Sequence, residues 1–454
     1  MKEVKRVKEK GRISISNIIS VILIIVILVT AFQIFKRYNY VGYKKAENTP
    51  YTSKFLRDNK EKIGKAASYE IKSDKFNDAM FSKKVKVEKN TPYKVTCMVK
   101  TEGVEKENVY STSGAQICVG NTIEKSISIT GTQDWQRLEF IFDSKNREEV
   151  EIGFRLGGYE GKCKGTAWFT DFTIESGVAD TSSEWNFACI LLENVNVNVD
   201  KNGQIKPVQV SMTESDMRIM EDNMERFQAS CKRLSNYQMS VKYDIIRVAE
   251  PITHLTYDKE NGYYISPSDA HAVIQKYIQG KEYDHIFICT KLGNEIHKKD
   301  IEVKDWIGLG GMDYYGIGFS NIRLPNEENS YIYRYGSSIN TFPEEVFIHE
   351  FLHYLERNSH EHGYEIPALH DSEKYGYQNA KLIGLEDWYR DYMQGNITDG
   401  NRKIGLNSAI YTTKPPKESD FNYSYKMDSF DKKTGFLQDA KDIFTSLGQI
   451  FKKE

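Results

Sequence analysis

Hydrophobic and polar positions follow three rhythms along this chain. From Ile13 to Phe35 no residue is charged and most are Ile, Val or Leu, so no helical face is polar. As a helix that run spans roughly 34 Å, enough to cross a bilayer core of about 30 Å. From about Tyr51 to Gly177 short runs alternate with a period of two, as in Tyr93–Val99 and Val150–Phe154, with turn residues between them. Strands are predicted at Lys84–Val87, Tyr93–Val99, Ala115–Val119, Glu139–Phe142, Val150–Leu156 and Thr166–Ile174, with no convincing helix among them. That pattern predicts an all-β sandwich or jelly roll that folds alone.

After Ser182-Ser183-Glu184-Trp185 the rhythm becomes mixed. Ala188–Val199, Lys206–Val210, Ser240–Val248 and Tyr283–Thr290 read as strands. Thr213–Leu234 reads as an amphipathic helix with Thr213 as N-cap, and Ser268–Gln279 as a helix ended by Gly280. The Gly-rich stretch Ile307–Ile322 predicts an irregular edge strand. Thr341 and Glu344 form a capping-box pattern with Pro343 in the first turn, opening a helix through Val346–Leu355. The expected layout is multidomain: a basic cytoplasmic segment over residues 1–12, a transmembrane helix over 13–35, a linker over 36–50, a β-sandwich over 51–178, an α+β domain over 185–400 and a tail over 401–454. A short amphipathic helix is expected near Leu437–Phe451.

Charge orients the anchor. Lys2, Lys5, Arg6, Lys8, Lys10 and Arg12 precede the apolar run, which keeps the N-terminus cytoplasmic and places the rest outside the cell membrane. The rival is secretion after cleavage near Val29-Thr30-Ala31. The net charge of −2 over 454 residues leaves no basic excess for nucleic acid. None of Cys97, Cys118, Cys163, Cys189, Cys231 and Cys289 lies in a Cys-x-x-Cys pair, which argues against a zinc knuckle, while one bridge between Cys118 and Cys163 stays open.

The candidate chemistry lies in His349-Glu350-Phe351-Leu352-His353. Two histidines at i and i+4 share a helix face and can reach one Zn²⁺, while Glu350 is placed to act as general base on a zinc-activated water. A catalytic zinc needs a third protein ligand. Candidates downstream are His370, Glu373 and Asp371: His370 follows Pro367 in a loop, and Glu373 has the spacing of thermolysin-like gluzincins.

Two resemblances add to this reading. The phrases NTPYKVTCMVKTEGV, GTQDWQRLEFIFDS, VEIGFRLGG and GTAWFTDFTIESG look like successive strands of carbohydrate-binding modules of families four and nine, with Trp168 and Asp171 matching an aromatic and an Asp of the last strand. Trp135, Tyr159 and Trp168 are then candidate sugar platforms, with core packing as the competing role of Trp135 and Trp168. The order of elements around the His-Glu-x-x-His motif resembles the zincin metallopeptidases. It departs from the metzincin pattern, because Glu356 and Ser359 stand where Gly and His are required. A zincin likeness implies a Tyr near the oxyanion, for which Tyr375 and Tyr377 are candidates.

The expectation is a membrane-anchored, extracytoplasmic zinc peptidase acting on peptide or protein substrates, with the sandwich free to hold polysaccharide. The alternatives are a non-catalytic carbohydrate-binding surface protein with a degenerate peptidase domain, and a glycoside hydrolase, for which no facing carboxylate pair is identifiable.

Overall fold

A computed structural model describes residues 15–38 (side chains 19–30), 42–108, 111–158, 161–178, 180–201, 203–278, 281–292, 303, 306–324, 342–377 and 386–414. The basic segment 1–12, Tyr159, Gly280, Thr341 and the helix expected at Leu437–Phe451 lie outside them.

The apolar run forms α1 (Ile15–Tyr38). Its apolar side chains from Ile19 to Val29 are at least half exposed. Side chains are described for only part of α1, and among the described residues no helix is long and apolar enough to cross a membrane.

The alternating segment folds into two sheets. One has the order β1 (Lys44–Glu47), β4 (Ala79–Lys86), β8 (Glu149–Gly157), β6 (Gly114–Val119). The other has the order β2 (Ser53–Ile63), β3 (Ala66–Asn77), β9 (Cys163–Ser176), β5 (Pro92–Lys106), β7 (Gly131–Asp143). Inward residues such as Ile71, Phe81, Val95, Ile117, Phe140, Phe154 and Phe169 make one core. The sandwich starts at Lys44, inside the expected linker, and β2 and β3 add strands beyond those expected. Cys118 and Cys163 are both free and buried: Cys118 faces Met80 and Cys163 faces Ser113, so no bridge joins them.

The second unit is built on β10 (Ser183–Leu192). A hairpin follows, β11 (Asn194–Lys201) and β12 (Gln204–Ser211), then α2 (Glu214–Leu234) and β13 (Met239–Val248). The expected strand Ala188–Val199 is thus two strands that part at Glu193. Short strands β14 (Thr256–Asp258) and β15 (Gly262–Tyr264) precede α3 (Pro267–Ile278), β16 (His285–Lys291), β17 (Gly308–Tyr314) and β18 (Ile317–Leu324). The sheet order is β13-β10-β16-β18-β17. The first four are parallel and β17 closes the edge antiparallel to β18. β10 and β16 read as near-continuous apolar runs because both faces of a parallel strand are covered.

On one face α2 inserts Met217, Met220, Met224, Phe227, Cys231 and Leu234 at helical spacing against Phe187 and Phe287. Thr213 caps α2 with Asp216 as reciprocal partner. The same face carries α4 (Glu345–Glu361) and α5 (Glu386–Met393). α4 starts at Glu344, whose side chain makes no cap bond and instead accepts from the Ser230 hydroxyl at 2.6 Å, so the expected capping box is not made by this carboxylate. Across residue 400, β19 (Ile397–Asp399) pairs with β20 (Arg402–Ile404), and beyond it Leu406, Ile410 and Tyr411 are buried in the core. This unit therefore extends past the expected boundary, at least to Lys414.

Candidate metal centre

α4 buries Val346, Phe347, Ile348, Phe351, Leu352 and Leu355 against the sheet, which leaves His349 and His353 half-buried on its other side. The chain then turns back, and the segment around Pro367–Asp371 brings His370 over them. Its backbone is pinned from two helices. Leu369 N–H donates to Glu356 at 3.1 Å, Trp388 Nε1 donates to the Leu369 carbonyl at 3.0 Å, and the Tyr392 hydroxyl donates to the Pro367 carbonyl at 3.1 Å. The three Nε2 atoms converge, 3.0 Å apart for His349 and His370 and 3.1 Å for the other two pairs.

Hydrogen-bond partners of the outward nitrogens decide what that convergence means. Glu356 can only accept, so the His353 Nδ1 3.1 Å away carries the proton and its Nε2 presents a lone pair. Tyr389 donates its hydroxyl proton to Glu345, so its oxygen, 3.0 Å from His349 Nδ1, accepts from that ring, and His349 Nε2 is likewise a lone pair. These tautomers follow from the network. Lone pairs aimed at one point repel unless a cation stands between them, and tetrahedral Zn–N bonds of about 2.0–2.1 Å imply nitrogen separations of roughly 3.3 Å. The donor set therefore fits zinc. Among the described residues these three histidines are the group able to hold a metal; Glu373 and Asp371, the other sequence candidates, are not in it. Glu373 lies exposed on the short turn Ser372–Tyr375.

The electrostatics match a metal-free cluster of this kind. Burial, then the charges of His353 and His370, hold His349 well below its ordinary value. His370 falls to about 4 through loss of water around its ring and through His353, although its outer edge stays exposed. Burial alone would lower His353, but its bond to Glu356 raises it. Glu350, 6% exposed, is pushed up to about 7 by burial.

Glu350 is enclosed by the edge strand. A Cβ at Gly308 would stand 2.5 Å from its Cδ, and one at Gly310 would stand 2.9 Å from its Cα, so β17 lies this close only because both residues are glycine. Register shifts between Leu309 and Met312, and the Gly311 carbonyl turns to Arg357 Nη1 at 2.7 Å. The Gly-rich edge strand of the sequence thus sits beside the motif.

Other candidates lie apart. Tyr377 donates to Asp391 at 2.5 Å and Tyr375 stacks on Trp388. The tyrosine beside the histidines is Tyr389, which sequence reasoning missed; it is buried and bonded on both sides, and no spacing signal pointed to it. In the sandwich Trp168 is buried, Trp135 is half-buried, and Asp171 is exposed with φ 54°.

No family model matches the chain, and no curated protein matches it. Among solved structures it is similar to the enzymatically active domain of bacteriophage CBA120 tailspike protein 4, at 12% identity and TM-score 0.23, covering 30% of this chain and 19% of that one. It is also similar to a CBM4 carbohydrate-binding module, at 15% identity and TM-score 0.20, covering 30% of this chain and 81% of that one. A third is the CBM22-1 xylan-binding domain of Paenibacillus barcinonensis Xyn10C, at 12% identity and TM-score 0.22, covering 32% and 92%. The chain spans about a fifth of the tailspike chain and most of the two modules.

Proposed function

We propose that this chain is a membrane-tethered, extracytoplasmic zinc peptidase. The observation that carries the reading is the convergence of three histidine Nε2 atoms beside a buried glutamate, with the outward nitrogens of His349 and His353 already bonded. His349, His353 and His370 would hold the ion, which when bound supplies Lewis acidity toward a carbonyl and acidifies water. Glu350 takes the proton of the attacking water and returns it to the leaving amine. Its enclosure by β17 excludes bulk water and fixes its rotamer. Among the described residues β17 is the edge strand of its sheet, so an extended peptide can add to it as a further strand. Glu356 and Tyr389 orient the two rings of α4.

The test is metal content of the purified chain beside Glu350→Gln, assayed on unfolded protein. One zinc per chain in both, with turnover lost in the variant, supports the reading. No zinc at micromolar concentration, or equal turnover in parent and variant, refutes it. Attachment is tested separately by fractionation: the uncharged run Ile13–Phe35, preceded by basic residues, is expected to hold the chain in the membrane pellet, and a soluble product starting near Phe32 overturns the anchor.

A second reading is supported by the sandwich itself: the chain is a carbohydrate-binding surface protein without peptidase activity. Trp135, half-buried, is its accessible aromatic candidate, since Trp168 is buried. Retention on insoluble polysaccharide that is lost in Trp135→Ala, with no zinc bound, favours this reading over the first.

A further inference from the structure

A second set of buried charges gathers at the N-terminal ends of α4 and α5. Each helix begins on a buried carboxylate, Glu344 at the N-cap of α4 and Glu386 as the first residue of α5. Arg233, in the last turn of α2, joins them. It contacts Glu386 Oε1 at 3.0 Å through Nη2 and 3.1 Å through Nε, and donates to Ser230 Oγ at 3.2 Å, which in turn donates to Glu344 at 2.6 Å.

The sandwich contributes to the same place. Lys125 follows β6, is buried, and lines one small cavity with Arg226, Ser230, Arg233 and Glu344. Its ammonium donates to the Thr112 carbonyl and, at 2.6 Å, to the Thr112 hydroxyl, which holds it there. Burial pushes the Glu386 carboxyl up, but the charges of Lys125 and Arg233 more than reverse this, while the same burial pulls the Lys125 ammonium down to about 7 against the pull of Glu386. The two units are also joined beside this cluster. Asn236 and Tyr237, at φ 50° and 61°, turn the chain after α2 so that Tyr237 packs on the sandwich core, with its hydroxyl 3.4 Å from the Glu139 carbonyl.

These helices place all three histidines. α4 carries His349 and His353. α5 carries Tyr389, which orients His349, and Trp388 and Tyr392, which hold the His370 loop. We propose that Arg233 is a positioning residue of the metal centre, tying the starts of α4 and α5 together, and that Lys125 of the sandwich, beside Arg226 in the same cavity, adds positive charge that helps to keep them there. Two buried carboxylates without their cation must separate or take up protons, and ligand sets tolerate displacements of only about 0.5 Å. The sandwich is then a working part of the metal centre rather than a passive spacer. The inference rests on the metal-site reading above.

The experiment uses the full chain with Arg233→Met, Arg233→Lys, Lys125→Met and Ser230→Ala, none of which touches a zinc ligand. Zinc affinity is read by competition with a chelating dye, on protein shown to be folded by circular dichroism and gel filtration. The expected result is at least tenfold weaker zinc binding in Arg233→Met and a severalfold loss in Lys125→Met and Ser230→Ala. Arg233→Lys should recover part of the loss, since it keeps the charge without the fork. A merely structural role would lower resistance to urea without zinc and leave the affinity of folded protein unchanged. Variants that fold and bind within twofold of the parent overturn the inference. If Arg233→Met does not fold, unchanged affinity in both Lys125→Met and Ser230→Ala overturns it equally. A parent that binds no zinc fails the metal-site reading itself, which is a distinguishable result.

Discussion

Gly308 and Gly310 offer a way to move the Glu350 carboxylate without changing Glu350. A methyl group at Gly308 would meet the far end of the Glu350 side chain, 2.5 Å from Cδ, whereas carbon atoms settle at about 3.5–4.0 Å. The side chain must therefore retreat by about 1 Å or change rotamer, at a cost of roughly 0.5–1.5 kcal/mol. A methyl at Gly310 would meet the backbone of Glu350, 2.9 Å from Cα, and a helix backbone in a packed core cannot rotate away. There the strand must lift, and overpacking of this kind costs about 1–3 kcal/mol. Neither residue has a positive φ, so alanine itself is not strained. Gly308→Ala should keep its zinc and melt within a few degrees of the parent. It should lose turnover by about 10²-fold or more, because general-base catalysis contributes about 10²–10⁴-fold and fails when the base is displaced by about 1 Å. Gly310→Ala should melt lower by about 2–12 °C. Calorimetry, zinc stoichiometry and turnover on an unfolded protein distinguish the two. Gly308→Ala with zinc bound and turnover within threefold of the parent would falsify the assignment of Glu350 as an enclosed base.

Two further outcomes follow from the surroundings. Glu356→Gln and Tyr389→Phe should each weaken zinc binding by about 10–100-fold, since each removes the partner that fixes one ring; dye competition reads this, and unchanged affinity in both removes these residues from the metal's support. His285, fully buried beside Ser320 at 2.9 Å, is held at about 3 by burial and by the Arg357 charge. A histidine lowered in the folded state contributes stability that is complete above its unfolded value of about 6.5 and is lost as pH falls toward 3, by up to about 5 kcal/mol. The unfolding free energy read from urea titrations should therefore fall less between pH 7 and 4 for His285→Gln than for the parent, and parallel pH dependences would show that His285 is not the buried neutral base described.

How far the fold was legible depended on whether burial left a trace in composition. α2 was readable because its apolar residues recur at helical spacing behind Thr213, and the parallel strands because both covered faces demand apolar runs. β2 and β3 were not: SKFLRDNKEKI and AASYEIKSDKFN carry lysines on the outer face that mask the inward Phe55 and Ile71. The break at Glu193 was equally silent, since β10 and β11 are both rich in strand formers, and only pairing with different partners separates them.

At the candidate site the local part was legible and the long-range part was not. His349 and His353 lie one helical turn apart, so any α-helix there brings them together. The third position was open among His370, Asp371 and Glu373, because a ligand from a loop depends on what holds that loop, and Trp388 and Tyr392 lie well beyond it in sequence. One near signal was present and pointed the right way. Glu356, read as a departure from the metzincin pattern, stands three residues after His353, within reach of its ring. In the structure one of its oxygens bonds that ring and the other accepts the N–H of Leu369, the residue before His370. A single carboxylate thus orients one histidine and fixes the backbone that delivers another, which gives His370 a support that Glu373, on the exposed turn beyond it, does not share.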